Sequence, residues 1–141
     1  MPPLWVSAWR TLEYRRPMAL AHRSYGTTRV VSPRGRLDHD NCDAFQHDLA
    51  DHLDACARQG AALVLDMSGL EYVSSAGLRC LMIAARQAAA RQGRVVAAAP
   101  QPVVAEILQI SRFNLVLPVY STTREALAAV SPDALDAFDR G

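Results

Sequence analysis

The fold of this chain is decided by residues 63–79, LVLDMSGLEYVSSAGLR. The stretch opens with a short apolar run that is typical of a strand buried on both faces. After a loop come two adjacent serines, Ser74 and Ser75, followed by apolar residues at helical spacing. The N-terminus of a helix has unpaired N–H groups and a positive dipole, so it suits either a capping hydroxyl or a phosphate. Residues 63–79 therefore predict strand, loop and helix, with Ser75 as a candidate phosphorylation site.

Strands and helices alternate on both sides of this stretch. The alternation predicts a single α/β domain with a mostly parallel central sheet flanked by helices. We expect the domain to occupy residues 25–131, between a poorly ordered N-terminal extension (1–24) and a frayed C-terminal tail (132–141). The predicted strands are 28–33, 61–66, 94–99 and 115–120; the predicted helices begin after Asp40 or Asn41, at Ala76, at Pro100 or Pro102, and at Thr123, which Ser121 or Thr122 would cap.

Composition limits the classes of function. A net charge of +1 argues against a dedicated nucleic-acid binder. Seven arginines and one acid lie in residues 1–36, but no amphipathic pattern accompanies them, so we interpret them as solvated. No apolar run reaches the ~18 residues of a membrane helix, and the start lacks the order of a signal peptide. We expect a cytoplasmic protein that contacts neither membrane nor nucleic acid. Met18 is an alternative start, and residues 1–17 are expected to be dispensable.

The cysteines and histidines predict no metal or cofactor site. Cys42, Cys56 and Cys80 are an odd number without paired spacing, which predicts neither a disulfide framework nor a zinc site and fits a reducing cytoplasm. Residues 38–49 begin like a calcium loop but have Asp43 where such a loop needs glycine and Leu49 where it needs glutamate. We therefore expect no cofactor.

The rival interpretations of Ser75 are plain helix capping and nucleophilic catalysis. Capping needs only one serine, and two adjacent serines stand at this helix start. A nucleophile elbow would read Gly-x-Ser-x-Gly, whereas Ser74-Ser75-Ala76-Gly77 lacks its first glycine, and no histidine has a recognisable triad context. The protein is therefore not expected to be an enzyme, with a serine hydrolase as the weakest alternative.

The order of motifs resembles the STAS domain of bacterial anti-sigma factor antagonists. The matching residues are Gly35-Arg36-Leu37-Asp38, then an acidic helix, then 65–70 and 72–79; the resemblance covers roughly residues 25–130. It implies a protein that binds an anti-sigma factor with serine-kinase activity and so frees a sigma factor. The kinase then phosphorylates a loop serine, the complex separates, and a PPM-type phosphatase restores the binding form. The resemblance also admits a STAS subunit of a lipid-transport ATP-binding-cassette complex, and it leaves a weak homodimer open.

The resemblance also implies a set of site residues. The phosphoserine of the family's Asp-Ser-Ser/Thr-Gly-Leu pattern matches Ser75; the family's aspartate matches Ser74, which makes Ser74 a second candidate acceptor. We expect Arg79 to be exposed, where it either pairs with an acidic group of the kinase or is merely solvated. The expected partner surface comprises Gly35, Arg36, Leu37, Asp38, Asp66, Ser74, Ser75, Ala76, Gly77 and Arg79.

Overall fold

The computed structural model describes residues 20–141, which form seven strands, five α-helices and one 3-10 turn. In chain order they are β1 (Ala21–Tyr25), β2 (Thr28–Ser32), β3 (Gly35–Leu37), α1 (Cys42–Arg58), β4 (Ala62–Asp66), β5 (Leu70–Val73), α2 (Ser75–Ala90), β6 (Arg94–Ala98), α3 (Pro102–Ile110), the 3-10 turn (Phe113–Leu115), β7 (Val119–Tyr120), α4 (Thr123–Val130) and α5 (Pro132–Arg140).

The strands make two sheets. The main sheet has the order β1-β2-β4-β6-β7, and every neighbouring pair is parallel except the β1–β2 hairpin. A separate pair, β3 and β5, is also parallel. The predicted α/β fold with a mostly parallel sheet is confirmed.

The three inner strands are apolar on both faces because helices cover both faces. In β4, Leu63 and Leu65 belong to the core under α1, α2 and α3, whereas Val64 belongs to the core under α4 and α5. Strands β2 and β6 alternate in the same way, as side chains of period two must. Such a strand has no polar face, which is why it reads as a continuous apolar run.

Three boundary predictions are wrong. Strand β1 lies within the predicted N-terminal extension; its residues are mostly polar and exposed, and a tight turn at Gly26 (φ +61°) pairs it with β2. Residues 113–115 form a 3-10 turn, and only Val119–Tyr120 remains of the last predicted strand. The predicted tail is helix α5: the Ser131 hydroxyl caps it, accepting from the N–H of Ala134, and Phe138 packs edge-on against Tyr25.

Residues 1–19, and with them the predictions about Met18 and residues 1–17, lie outside the described part of the chain. Between residues 20 and 141, no helix combines the length and the apolar character needed to cross a membrane.

Candidate functional site at the start of helix α2

Ser74 caps helix α2. Its backbone is extended (φ −82°, ψ 176°), and its Oγ accepts a hydrogen bond from the N–H of Gly77 at 3.2 Å. Its carbonyl accepts the N–H of Leu78 at 2.9 Å, the first bond inside the helix. Aspartate and serine are both strong N-caps. The serine at this position therefore fills the structural role that an aspartate would fill.

Ser75 is the first residue of the helix, and it is exposed. Within residues 20–141, its hydroxyl has no hydrogen-bond partner, and neither have the N–H groups of Ser75 and Ala76. The two serines thus have different roles. Ser74 hydrogen-bonds to the first turn of the helix, and Ser75 exposes a free hydroxyl beside unpaired N–H donors. Such an end attracts anions.

Strand β3 holds the serines in place. The N–H of Ser74 donates to the carbonyl of Leu37 at 2.9 Å, directly after the parallel pairing of Leu37 with Val73. Gly77 packs against the same carbonyl, so closely that a Cβ there would collide with it. Only glycine permits this approach.

Two residues predicted on the partner surface are therefore internal. Leu37 has 0% of its surface exposed because its side chain fills the core next to Val73. Gly77 is also buried, under the carbonyl of Leu37. Both position the serines and present no side chain to a partner.

The loop from β3 to α1 lies beside the start of α2. Asn41 stands at the cap position of α1 but makes no cap bond. Its Oδ1 accepts from the N–H of Asp38 at 3.0 Å, and its Nδ2 donates to the carbonyl of Arg36. Asp38 in turn accepts from the N–H of Asp40 at 3.1 Å, and the Arg36 guanidinium lies 4.6 Å from the centre of the Tyr72 ring. Asn41 thus precedes the helix, as the sequence predicted, but its side chain makes bonds that shape this loop and does not cap α1.

Cys42 and Cys80 form a disulfide, which corrects the prediction that the cysteines are unpaired. Their Cα atoms are 6.1 Å apart across 38 residues of sequence, and the bond joins the first residue of α1 to the second turn of α2. Cys56 is free and buried on the inner face of α1. Spacing in sequence held no sign of the pair because the two helices meet only in the folded chain.

Arg79 and Asp66 differ in their relation to Ser75. Arg79 is exposed, as expected, because Cys80 and Leu81 take the buried positions. Asp66 instead accepts hydrogen bonds from the Ser68 N–H (3.0 Å) and the Ser32 hydroxyl (3.3 Å) and lines an open cleft of about 760 Å³ with residues of β1, α4 and α5. No contact joins Asp66 to Ser75. The structure thus places Asp38, Ser74, Ser75, Ala76 and Arg79 at the α2 start, with Arg36 on the adjacent strand β3. Gly35 lies at the far end of β3, where its N–H donates to the carbonyl of Gly69 at 2.9 Å, and Asp66 also lies apart.

The residues near Ser75 that the structure describes include no metal-binding cluster and no histidine in contact with its hydroxyl. Among residues 20–141, no group of three or more His, Cys, Asp or Glu side chains could hold a metal ion. The Ser75 hydroxyl touches no histidine there; the rings of His22 and His52 instead contact each other between β1 and α1, tilted, with their centroids 4.6 Å apart. The start of α2 therefore exposes a hydroxyl, unpaired N–H donors and charged side chains at the protein surface.

Comparison with known proteins agrees with the motifs. The sequence profile of the family described as "Mlab, STAS domain" matches residues 20–118. A Bordetella bronchiseptica protein named as anti-sigma factor antagonist BtrV is 36% identical over 106 residues, which cover 75% of this chain and 88% of that protein.

Solved structures share the fold. An anti-sigma factor antagonist of Thermotoga maritima superposes with a TM-score of 0.71 at 17% identity, covering 84% of this chain and 97% of the other. The unphosphorylated form of the anti-sigma factor antagonist SpoIIAA gives 0.62 at 21% identity, covering 79% and 95%. At these identities the likeness concerns the fold alone. The profile match and the similarity to BtrV together show that the chain belongs to the STAS domain family, alongside relatives named as anti-sigma factor antagonists.

Proposed function

We propose that this protein is an anti-sigma factor antagonist whose binding is switched off by phosphorylation of Ser75. Its partner is an anti-sigma factor with serine-kinase activity, and a PPM-type phosphatase regenerates the binding form. The observation that carries the proposal is the exposed Ser75 hydroxyl, left free because Ser74 performs the capping. The name of BtrV supports the class of function. SpoIIAA, a Bacillus cell-fate determinant of the same fold, has been solved in unphosphorylated and phosphorylated forms.

The domain itself should tolerate the phosphate. Phosphorylation of Ser75 adds about −1.5 to −2 charges at neutral pH. The new oxygens would lie beside the free N–H groups of Ser75 and Ala76, at the positive end of the α2 dipole. The fold therefore needs no rearrangement to accept the modification.

A complex should not tolerate it. A phosphate enclosed in a protein interface must give up its hydration, and a charge buried there without a compensating partner is costly. A penalty of ~3 kcal/mol would weaken binding more than a hundredfold. The switch thus acts on affinity and leaves the fold intact.

The direct test is a kinase reaction followed by intact mass measurement. The protein is incubated with its matched anti-sigma kinase and ATP, alongside Ser75→Ala and, as a matched control one residue away, Ser74→Ala. We expect one added phosphate on the wild type and on Ser74→Ala, and none on Ser75→Ala. A phosphate that persists in Ser75→Ala and maps to Ser74 would contradict the assignment.

A second test separates binding from folding. Ser75→Asp should lose the kinase partner in a pull-down while it keeps the wild-type melting temperature, because a negative charge suits the helix start but not an interface. Retained binding, or loss of binding together with the fold, would refute the mechanism.

Two other functions make different predictions. A STAS subunit of a lipid-transport complex would co-purify with the ATP-binding-cassette ATPase of its operon and would stay unmodified by an anti-sigma kinase. A serine hydrolase would turn over ester substrates faster than its Ser75→Ala form does. We expect neither result, and we expect metal analysis to find no stoichiometric zinc.

A further inference from the structure

The disulfide between Cys42 and Cys80 lies directly behind the proposed switch. We propose that these two cysteines are a reversible redox modification site: oxidation fastens α1 to α2 beside Ser75 and slows phosphorylation of that serine. The part that concerns phosphorylation rests on the function proposed above. The part that concerns the cross-link stands on the geometry alone.

The two sulfur positions suit a bond that forms and breaks. A Cα separation of 6.1 Å lies within the range of unstrained disulfides. Cys42 is partly exposed, whereas Cys80 is 1% exposed on the inner face of α2. Solution reagents therefore reach the pair through Cys42.

Cys42 is also placed to react. It is the first residue of α1, and a thiolate at a helix N-terminus is stabilised by the helix dipole. Its Sγ lies 3.3 Å from the carbonyl oxygen of Ala76, so the reduced thiol has a hydrogen-bond acceptor in the first turn of α2.

The remaining cysteine is an internal control. Cys56 is 3% exposed on the buried face of α1, and burial raises the pKa of its thiol. Such a thiol is inert to exchange. Because only the Cys42–Cys80 pair is reactive, the number of free thiols reports whether the protein is reduced or oxidised.

Oxidation of the two thiols requires an oxidant, and a low-molecular-weight disulfide such as oxidised glutathione can supply it by thiol–disulfide exchange. The Cys42 thiolate attacks one sulfur of oxidised glutathione, which forms a mixed disulfide and releases one glutathione thiolate. The Cys80 thiolate then attacks the Cys42 sulfur and releases the second. Two protein thiols become one disulfide, their two protons pass to the two glutathione thiolates, and two electrons reduce the oxidant. Excess reduced glutathione reverses both steps.

The disulfide connects the two elements beside Ser75: helix α2 itself and the start of α1, which follows the β3–α1 loop. Cys80 follows Ser75 by five residues, about 7.5 Å along the helix axis. Cys42 follows Asn41, whose side chain holds the loop at Asp38. A kinase must bring the Ser75 hydroxyl into its ATP site, and a helix whose second turn is bonded to α1 moves less readily. Oxidation should therefore slow the transfer.

The first measurement counts thiols. The protein is equilibrated in mixtures of reduced and oxidised glutathione, denatured, trapped with N-ethylmaleimide and weighed intact. We expect three labelled thiols in the reduced form and one in the oxidised form, with the remaining label on Cys56. Chain-entropy arguments for a loop of 38 residues predict a melting temperature higher by roughly 10 °C in the oxidised form. Three labels throughout, a lasting glutathione adduct on Cys42, or equal melting temperatures would overturn the cross-link.

The second measurement follows Ser75. With the matched kinase, the oxidised form should accept phosphate about fivefold more slowly than the reduced form, and Cys42→Ser should show no redox dependence. Amide hydrogen exchange at residues 77–79, the first hydrogen-bonded amides of α2, should slow on oxidation in the wild type only, a readout that needs no kinase. If neither form is phosphorylated, the proposed function fails, and exchange and thiol counting still decide the cross-link. Equal phosphorylation rates with a verified disulfide would overturn the gating.

Discussion

Replacing Gly77 with alanine should loosen the first turn of α2 from strand β3. A Cβ at this position would collide with the Leu37 carbonyl oxygen and would stand 3.0 Å from Val73 Cγ1. Neither neighbour can retreat easily: the carbonyl is backbone in a paired strand, and Val73 is 1% exposed in the core. The helix start must move instead, and the hydrogen bond from Ser74 to Leu37 weakens with it.

The terms of the free-energy change partly cancel. Overpacking costs about 1–3 kcal/mol, and a lost backbone hydrogen bond costs about 1 kcal/mol. Alanine regains about 1 kcal/mol because it is the better helix former. The net loss is about 1–3 kcal/mol, which for a domain of this size lowers the melting temperature by roughly 5–10 °C.

Thermal unfolding followed by circular dichroism measures this shift, with Gly93→Ala as the matched control. A Cβ at Gly93 would meet its nearest neighbour, the Ala88 carbonyl oxygen, at 3.4 Å, an ordinary contact. The φ angle there is not positive, so alanine should leave the melting temperature unchanged or slightly higher. If Gly77→Ala is as stable as Gly93→Ala, the close packing of α2 on β3 does not hold the serines, and the reasoning fails.

Four further outcomes follow from single contacts. Ser74→Ala removes the α2 cap and should cost about 1 kcal/mol; an unchanged urea midpoint would contradict the capping role. Arg79→Glu should weaken kinase binding more than tenfold, ~1.4 kcal/mol, whereas the exposed Arg112→Glu should not; calorimetric titration of both variants decides. Burial is the main reason that the pKa of His52 is lowered, so the unfolded chain takes up the proton first and stability should fall as the pH drops through and below 6.5; His52→Gln should flatten that slope in melting curves. Phe138→Ala removes an aromatic contact with β1 and should cost about 1–2 kcal/mol; a wild-type melting curve would mean that α5 contributes little.

Local pattern determined most of the fold. The strand predicted at 61–66 forms as Ala62–Asp66 with its first four residues buried, and the helix predicted to begin at Thr123 does so, capped by Thr122. One local signal was missed: Ser131-Pro132 is a strong helix start, since serine caps and proline suits the first turn, yet the segment was predicted to fray. Strand β1 offered no such signal because polar, exposed residues carry no alternation.

The serine pair shows what the local sequence pattern does not predict. The sequence by itself placed two serines at the start of a helix, since a helix start depends on neighbouring residues. Only the tertiary structure decided that Ser74 caps and Ser75 stays free, because the roles depend on the backbone path into α2, which the bond to Leu37 directs. The hydrogen bond from Ser74 to Leu37 joins residues 37 positions apart, and the Cys42–Cys80 disulfide joins residues 38 positions apart. Both contacts form only when the chain is folded. Periodicity reports which face of an element is buried; it holds no information about which distant element covers that face.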